Sequence, residues 1–166
     1  MFLRIAVLLT LGISFGASAN ETLRGVEEIR LSLSFEENKP TGLSEAGLRN
    51  QVKREFQKLG LPITPNRSAG YFHLSVLILR INLEGSSKAM AYVYSVRADF
   101  YQKTKIERKD IVITSTSSTW SHSGRLGLAD DGVKKMVTEV CMDIVRSFAN
   151  DYLRANQKRS DSAKEK

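Results

Sequence analysis

Few residues in this chain have chemistry to offer. They are His73 and His122, the single cysteine Cys141, a glycine-spaced stretch at residues 123–127, six consecutive hydroxyl residues at 114–119, and a basic segment carrying Lys103, Lys105, Arg108 and Lys109. A metal centre needs several ligands at close spacing, which two distant histidines and one cysteine do not supply, so no metal is expected. A histidine acts as a base only where a nucleophile and an orienting carboxylate converge on it. No local signature brings such companions to either histidine, and both read as ordinary strand residues. The 123–127 stretch precedes a helical pattern, as phosphate loops do. It lacks the lysine of a P-loop, however, and Asp130 and Asp131 would repel an anion at that helix start, so it reads as a connection. The hydroxyl run suits a partly wet strand and makes no nucleophile. No catalytic residue and no cofactor is expected, and the chain reads as a non-enzyme.

The basic segment keeps two readings. Lys103, Lys105, Arg108 and Lys109, diluted by Glu107 and Asp110, are either solvated turn charges or contacts for the phosphates of an anionic lipid or glycolipid. The whole chain carries +7, and +6 once Arg4 is removed with the leader described next. That balance favours anionic partners in general without selecting among them. Nucleic acid is not expected for an exported chain.

The compartment is written at the N-terminus. Residues 1–19 combine Arg4, an apolar run over 5–15 and the small triplet Ala17, Ser18 and Ala19, the three parts of a secretory signal with cleavage expected before Asn20. The uncharged stretch is shorter than the roughly 20 residues needed to cross a bilayer. Arg80 interrupts the longest later apolar run, so no transmembrane segment is expected in the mature chain. No cysteine stands near the cleavage site to carry a lipid, and the protein is expected in the periplasm or secreted. Cys141 falls on an apolar helical stripe, where a thiol packs as a small hydrophobe. With 166 residues, 42% of them hydrophobic and 26% charged, one domain is expected over residues 20–154, followed by a disordered basic tail at 155–166.

The elements that would position these residues follow from periodicity. Ile29, Leu31, Leu33 and Phe35 alternate with polar residues, predicting a first strand. Ser44 is placed to cap a helix whose Leu48, Val52, Phe56 and Leu59 recur at helical spacing, with Gly60 as its stop. Pro62 and Pro65 confine residues 61–64 to a short edge strand or extended connector. Residues 71–83, 90–102 and 110–122 predict three long antiparallel strands, with hairpin turns at 84–88 and 103–109. Val133, Met136, Val137, Val140, Cys141, Ile144, Phe148 and Tyr152 predict a last helix over 131–154.

Two amphipathic helices and one sheet predict an α+β fold, a two-layer sandwich with both helices on one face of a mostly antiparallel sheet. Phe72, Leu74, Val76 and Ile78 share one parity and are assigned to the covered face. Leu77, Leu79, Ile81 and Leu83 have the other parity. Either the strand runs unbroken and these four form an exposed partner-binding band, or a bulge near Ile78 returns them to the core. Trp120 either caps the core or stands exposed as a further partner-binding anchor.

The order strand, helix, long strands, long final helix resembles the small envelope-assembly proteins of Gram-negative bacteria, and among them the LptE family of lipopolysaccharide-assembly lipoproteins. The resemblance covers residues 26–154 in pattern, including the helix at 48–60 followed by Pro62. It implies two helices packed on one sheet and an accessory role in the envelope, with an envelope protein as partner. The missing lipidation cysteine departs from that family, and no site residue is carried over.

Overall fold

The computed structural model describes residues 19–38, 41–82, 89–108, 111–129 and 132–162. Residues 1–18 of the expected leader lie outside the described residues, as do Leu83, the expected turn at 84–88, Lys109, Asp130 and Asp131.

Seven elements follow in order: α1 (Ala19–Thr22), β1 (Ile29–Glu37), α2 (Glu45–Lys58), β2 (Gly70–Asn82), β3 (Ala89–Arg108), β4 (Ile111–Ala129) and α3 (Val133–Ser162). The four strands form one sheet in the order β1-β2-β3-β4. β1 and β2 are parallel and joined through α2, and the two remaining pairings are antiparallel. The fold is α+β, with α2 and α3 packed on one face of a mostly antiparallel sheet.

Local chemistry explains α2. The Ser44 hydroxyl accepts from the Gly47 amide at 3.1 Å, satisfying one of the donors a helix start leaves open. Beyond the other end, Gly60 adopts φ +72°, a conformation a side chain would strain. Leu48, Val52 and Phe56 point into the core. Of the expected short strand at 61–64, Ile63 makes a single bridge to Ile29.

The covered face is built from Phe72, Leu74, Val76 and Ile78 of β2, Tyr94, Val96, Ala98 and Phe100 of β3, and Val137, Cys141, Ile144 and Phe148 of α3, all buried. Phe148 is the hub. Its ring centroid lies 4.8 Å from Phe72, 5.4 Å from Phe100, 5.8 Å from Phe56 and 5.0 Å from Trp120. Of the expected α3 stripe, Met136 is exposed and Val140 half-buried, while Val145 and Ala149 join the core.

Three expectations need correction. The segment 103–109, expected as a turn, is strand through Arg108, because Lys103, Lys105 and Glu107 alternate with Thr104 and Ile106 across from a full-length β4. Charge at alternate positions made a wet ribbon read as a turn. The segment 123–127, expected as a loop, is also strand. Register shifts in the β3–β4 pairing take up the extra residues, and Gly127 lies so close under the Tyr94 ring that a Cβ would collide with it. Finally, α3 continues past Arg154 to Ser162. Ala155 is buried, and the Asn156 amide group donates to the Leu23 carbonyl at 3.1 Å while its oxygen accepts from the Gly25 amide at 3.0 Å.

Candidate functional site

The sheet face turned away from α2 and α3 is where the surface is unusual. Cross-strand partners share a face, so the register places side chains in rows. One row runs Glu36, Leu77, Ser95, Leu126, the next Leu79, Val93, Leu128, and a third Ile81, Ala91. Leu77 is 37% exposed, Leu79 40%, Ile81 37%, Leu126 77% and Leu128 68%. The β2–β3 register is unbroken from Tyr71 to Ile81, so no bulge near Ile78 turns the band inward. The apolar band therefore faces outward, and it is wider than β2 alone.

Leu126 and Leu128 escape the sequence because the loop expected at 123–127 leaves no β4 at this end of the sheet, and Val93 because its place beside Leu79 depends on the β2–β3 register. The signal that could have found them is the alternation Leu126, Gly127, Leu128, Ala129, in which the small residues face the helices and the leucines face out.

Trp120, weighed as an interaction anchor, belongs to the core. It is 5% exposed, packs edge-on against Phe148, and its indole Nε1–H donates to Asp151 at 3.0 Å. Leu83 lies outside the described residues.

The other end of the same open face is polar. Arg30 sits 4.9 Å over the Tyr71 ring, which stacks on Tyr101 at 4.9 Å. His73 Nδ1 lies 3.0 Å from the Ser32 hydroxyl and its Nε2 3.4 Å from the Ser34 hydroxyl. Asp99 is the cross-strand partner of His73, which puts serine, histidine and aspartate side by side. The geometry is not that of a catalytic triad. Both ring nitrogens face hydroxyls, and the Asp99 carboxylate is gripped by Arg97, Nε to Oδ2 at 2.9 Å and Nη2 to Oδ1 at 3.2 Å. That grip holds the Arg97 guanidinium above its ordinary pKa, through the hydrogen bond first and the charge second. No carboxylate is left to orient the imidazole. His122 Nδ1 lies 3.0 Å from the Ser123 carbonyl oxygen and has no nucleophile bonded to it among the described residues. Burial pushes the Cys141 thiol up to about 12, which makes it inert as a nucleophile.

Among the described residues no group of three or more His, Cys, Asp or Glu could hold a metal ion, and no helix is long and apolar enough to cross a membrane. Of the expected anion-binding residues, Lys103 and Lys105 lie exposed on β3, beyond the end of β2. Arg108 ends β3, and Lys109 lies outside the described residues.

No protein-family model matches the chain, and no curated protein is similar enough in sequence to match it. Solved structures with a related chain course include a minor lipoprotein from Acinetobacter baumannii, 13% identical, covering 78% of this chain and 92% of that one at a TM-score of 0.39. Rare lipoprotein B from Shewanella oneidensis is 12% identical over 84% of this chain and 99% of that one, at 0.27. A chain from Helicobacter pylori, assigned as a homologue of a neuraminyllactose-binding hemagglutinin, is 11% identical over 94% of this chain and 100% of that one, at 0.39. These likenesses are distant.

Proposed function

We propose that the protein is an exported, non-enzymatic interaction module of the bacterial cell envelope, and that the helix-free sheet face binds a protein partner through Leu77, Leu79, Val93, Leu126 and Leu128. One observation carries the reading: apolar rows continue across three strands on a face with no covering layer among the described residues. The leader-like residues 1–19 support the compartment.

Size and shape select a protein over a small ligand. The apolar band spans about 10 Å across the strands and about 13 Å along them. Alone it is too small for a stable interface, in which each partner contributes ~800 Å². The whole open face, three strand spacings wide and thirteen residues long on β2, measures on the order of 600 Å², near that requirement. An occupant must then use the polar end too, where Ser34, Ser75, His73 and Tyr101 offer hydrogen-bonding groups beyond the leucines. An apolar patch with polar groups beside it on one flat face supplies both kinds of contact that protein interfaces use.

The test is site-specific photo-crosslinking in the native envelope. A crosslinker at Leu79 or Leu128 should give one discrete adduct. The same group at Glu139, exposed on α3, should give none. Introducing Leu77→Asp into the Leu128 probe chain should abolish the adduct while leaving the unfolding transition in place. Equal adducts at all three positions, or none at Leu79 and Leu128, would overturn the proposal.

A further inference from the structure

β3 and β4 outrun the rest of the sheet. The last β2–β3 rung pairs Tyr71 with Tyr101, yet β3 and β4 stay paired from Gln102 and Ser117 out to Arg108 and Ile111. These seven rungs form a two-stranded ribbon about 20 Å long. Gln102, at its base, donates to the Thr22 carbonyl at 2.9 Å. Farther out no described side chain from another element bonds to the ribbon, and a two-stranded ribbon alone is marginal in water.

Its outer end has the wrong composition for water. Ile106, Ile111, Val112 and Ile113 are all exposed. Ile106 pairs with Ile113 on the face that α2 and α3 cover elsewhere, and Val112 pairs with Glu107 on the opposite face. The tip therefore exposes apolar side chains on both sides, three isoleucines on one and Val112 beside Glu107 on the other. On the side of Val112, two and four rungs back, Lys105 and Lys103 stand exposed beside Thr114 and Thr116, and neither is in an ion pair with a described residue. In sequence, Arg108 and Lys109 follow against Asp110.

We propose that this ribbon is a wedge for an anionic lipid surface: Ile106, Ile111, Val112 and Ile113 enter the interface between headgroups and acyl chains while Lys103 and Lys105 rest on the phosphates. Two features select lipid over protein. A single flat partner covers one side of a ribbon and leaves the other wet, whereas a lipid interface surrounds both. Four apolar side chains also fall far short of the ~800 Å² that a protein partner would need. The lysines match an anionic surface by charge, and their attraction to it fades beyond a screening length. This surface is separate from the leucine band, which lies at the other end of β3 and β4.

The experiment uses the mature chain with Val112→Cys carrying an environment-sensitive dye. Cys141 is fully buried with an unreactive thiol and stays unlabelled. With vesicles of phosphatidylcholine containing phosphatidylglycerol, the dye should shift to the blue and the protein should sediment with the lipid. Vesicles of phosphatidylcholine alone should do neither. Lys103→Glu with Lys105→Glu should weaken sedimentation about tenfold or more. Ile106→Ser with Ile111→Ser and Ile113→Ser should keep salt-sensitive sedimentation and lose the blue shift, separating charge from insertion. Loss of native circular dichroism in either variant would be resolved by the wild-type sequence with dye at Leu128→Cys, which should stay unshifted on vesicles. Absence of binding to anionic vesicles, equal binding to neutral ones, or a shift at Leu128→Cys as large as at Val112→Cys would overturn the assignment. So would a crosslink from the tip to a protein in place of any lipid response. None of these outcomes bears on the crosslinks from the leucine band, so the two surfaces stand or fall separately.

Discussion

The two faces of one sheet are made from the same strands and differ in what lies over them. On the covered side Phe72, Leu74, Val76 and Ile78 are each at most 1% exposed, because α2 and α3 close over them. Leu77 and Leu79, one residue along from Val76 and Ile78, and Ile81 beyond them are equally apolar and remain exposed. Hydrophobicity alone therefore does not distinguish buried residues from exposed ones here. The distinction comes from the helices, which can shield only one side. Apolar area on the shielded side has already been spent on stability. On the bare side it is still available to a second molecule.

The contrast makes unequal demands on mutation. Phe148→Ala, which empties the hub of the aromatic cluster, should cost about 3–5 kcal/mol in urea unfolding. A cost below about 1 kcal/mol would mean that the covered face is loosely packed and the contrast false. A smaller effect should come from the contact between the covering helices. Arg146 Nε donates to Glu55 Oε1 at 2.9 Å, and this hydrogen bond holds the Glu55 carboxyl below its ordinary value against the opposing effect of burial. A carboxylate whose folded pKa is depressed adds stability above its unfolded pKa and loses it as pH falls through the folded value. Glu55→Gln should flatten that acid limb and cost less than about 1 kcal/mol near neutrality. An unchanged pH profile would remove the pair from the ledger. The smallest effect belongs to the bare side. Leu126→Ser with Leu128→Ser should move the unfolding free energy by less than about 0.5 kcal/mol while abolishing the crosslinked adduct. A loss as large as that of Phe148→Ala would place these leucines in the core.

Much of this architecture can be read from residue order. The cap at Ser44, the stop at Gly60 and the stripe through Val137, Cys141, Ile144 and Phe148 all declare themselves locally, because helix caps and periodicity depend on neighbours in the chain. The outward parity of Leu77 and Leu79 is legible for the same reason. The rest of the leucine band is not, because it depends on register between strands. Ser123 and Gly124 look like a loop until the register shift opposite Arg97 absorbs them. The ribbon is hidden in the same way. Lysines at every second position look like a turn unless a partner strand lies alongside, and Ser/Thr-rich β4 gives little hydrophobic sign that it does. Trp120 is ambiguous in sequence because an indole suits both a core and an interface. Asp151, thirty-one positions away, decides it.

The ends of the domain are stitched together. Leu23 is fully buried, the Tyr152 hydroxyl donates to the Val26 carbonyl at 2.9 Å, and Asn156 bonds to both Leu23 and Gly25. A chain cut after Arg154 would thus lose Ala155 and Asn156 and also loosen its opening segment. The stretch from Leu23 to Val26 and the turn of α3 from Tyr152 to Asn156 thus share one corner of the molecule, and a pull on either is passed directly to the other.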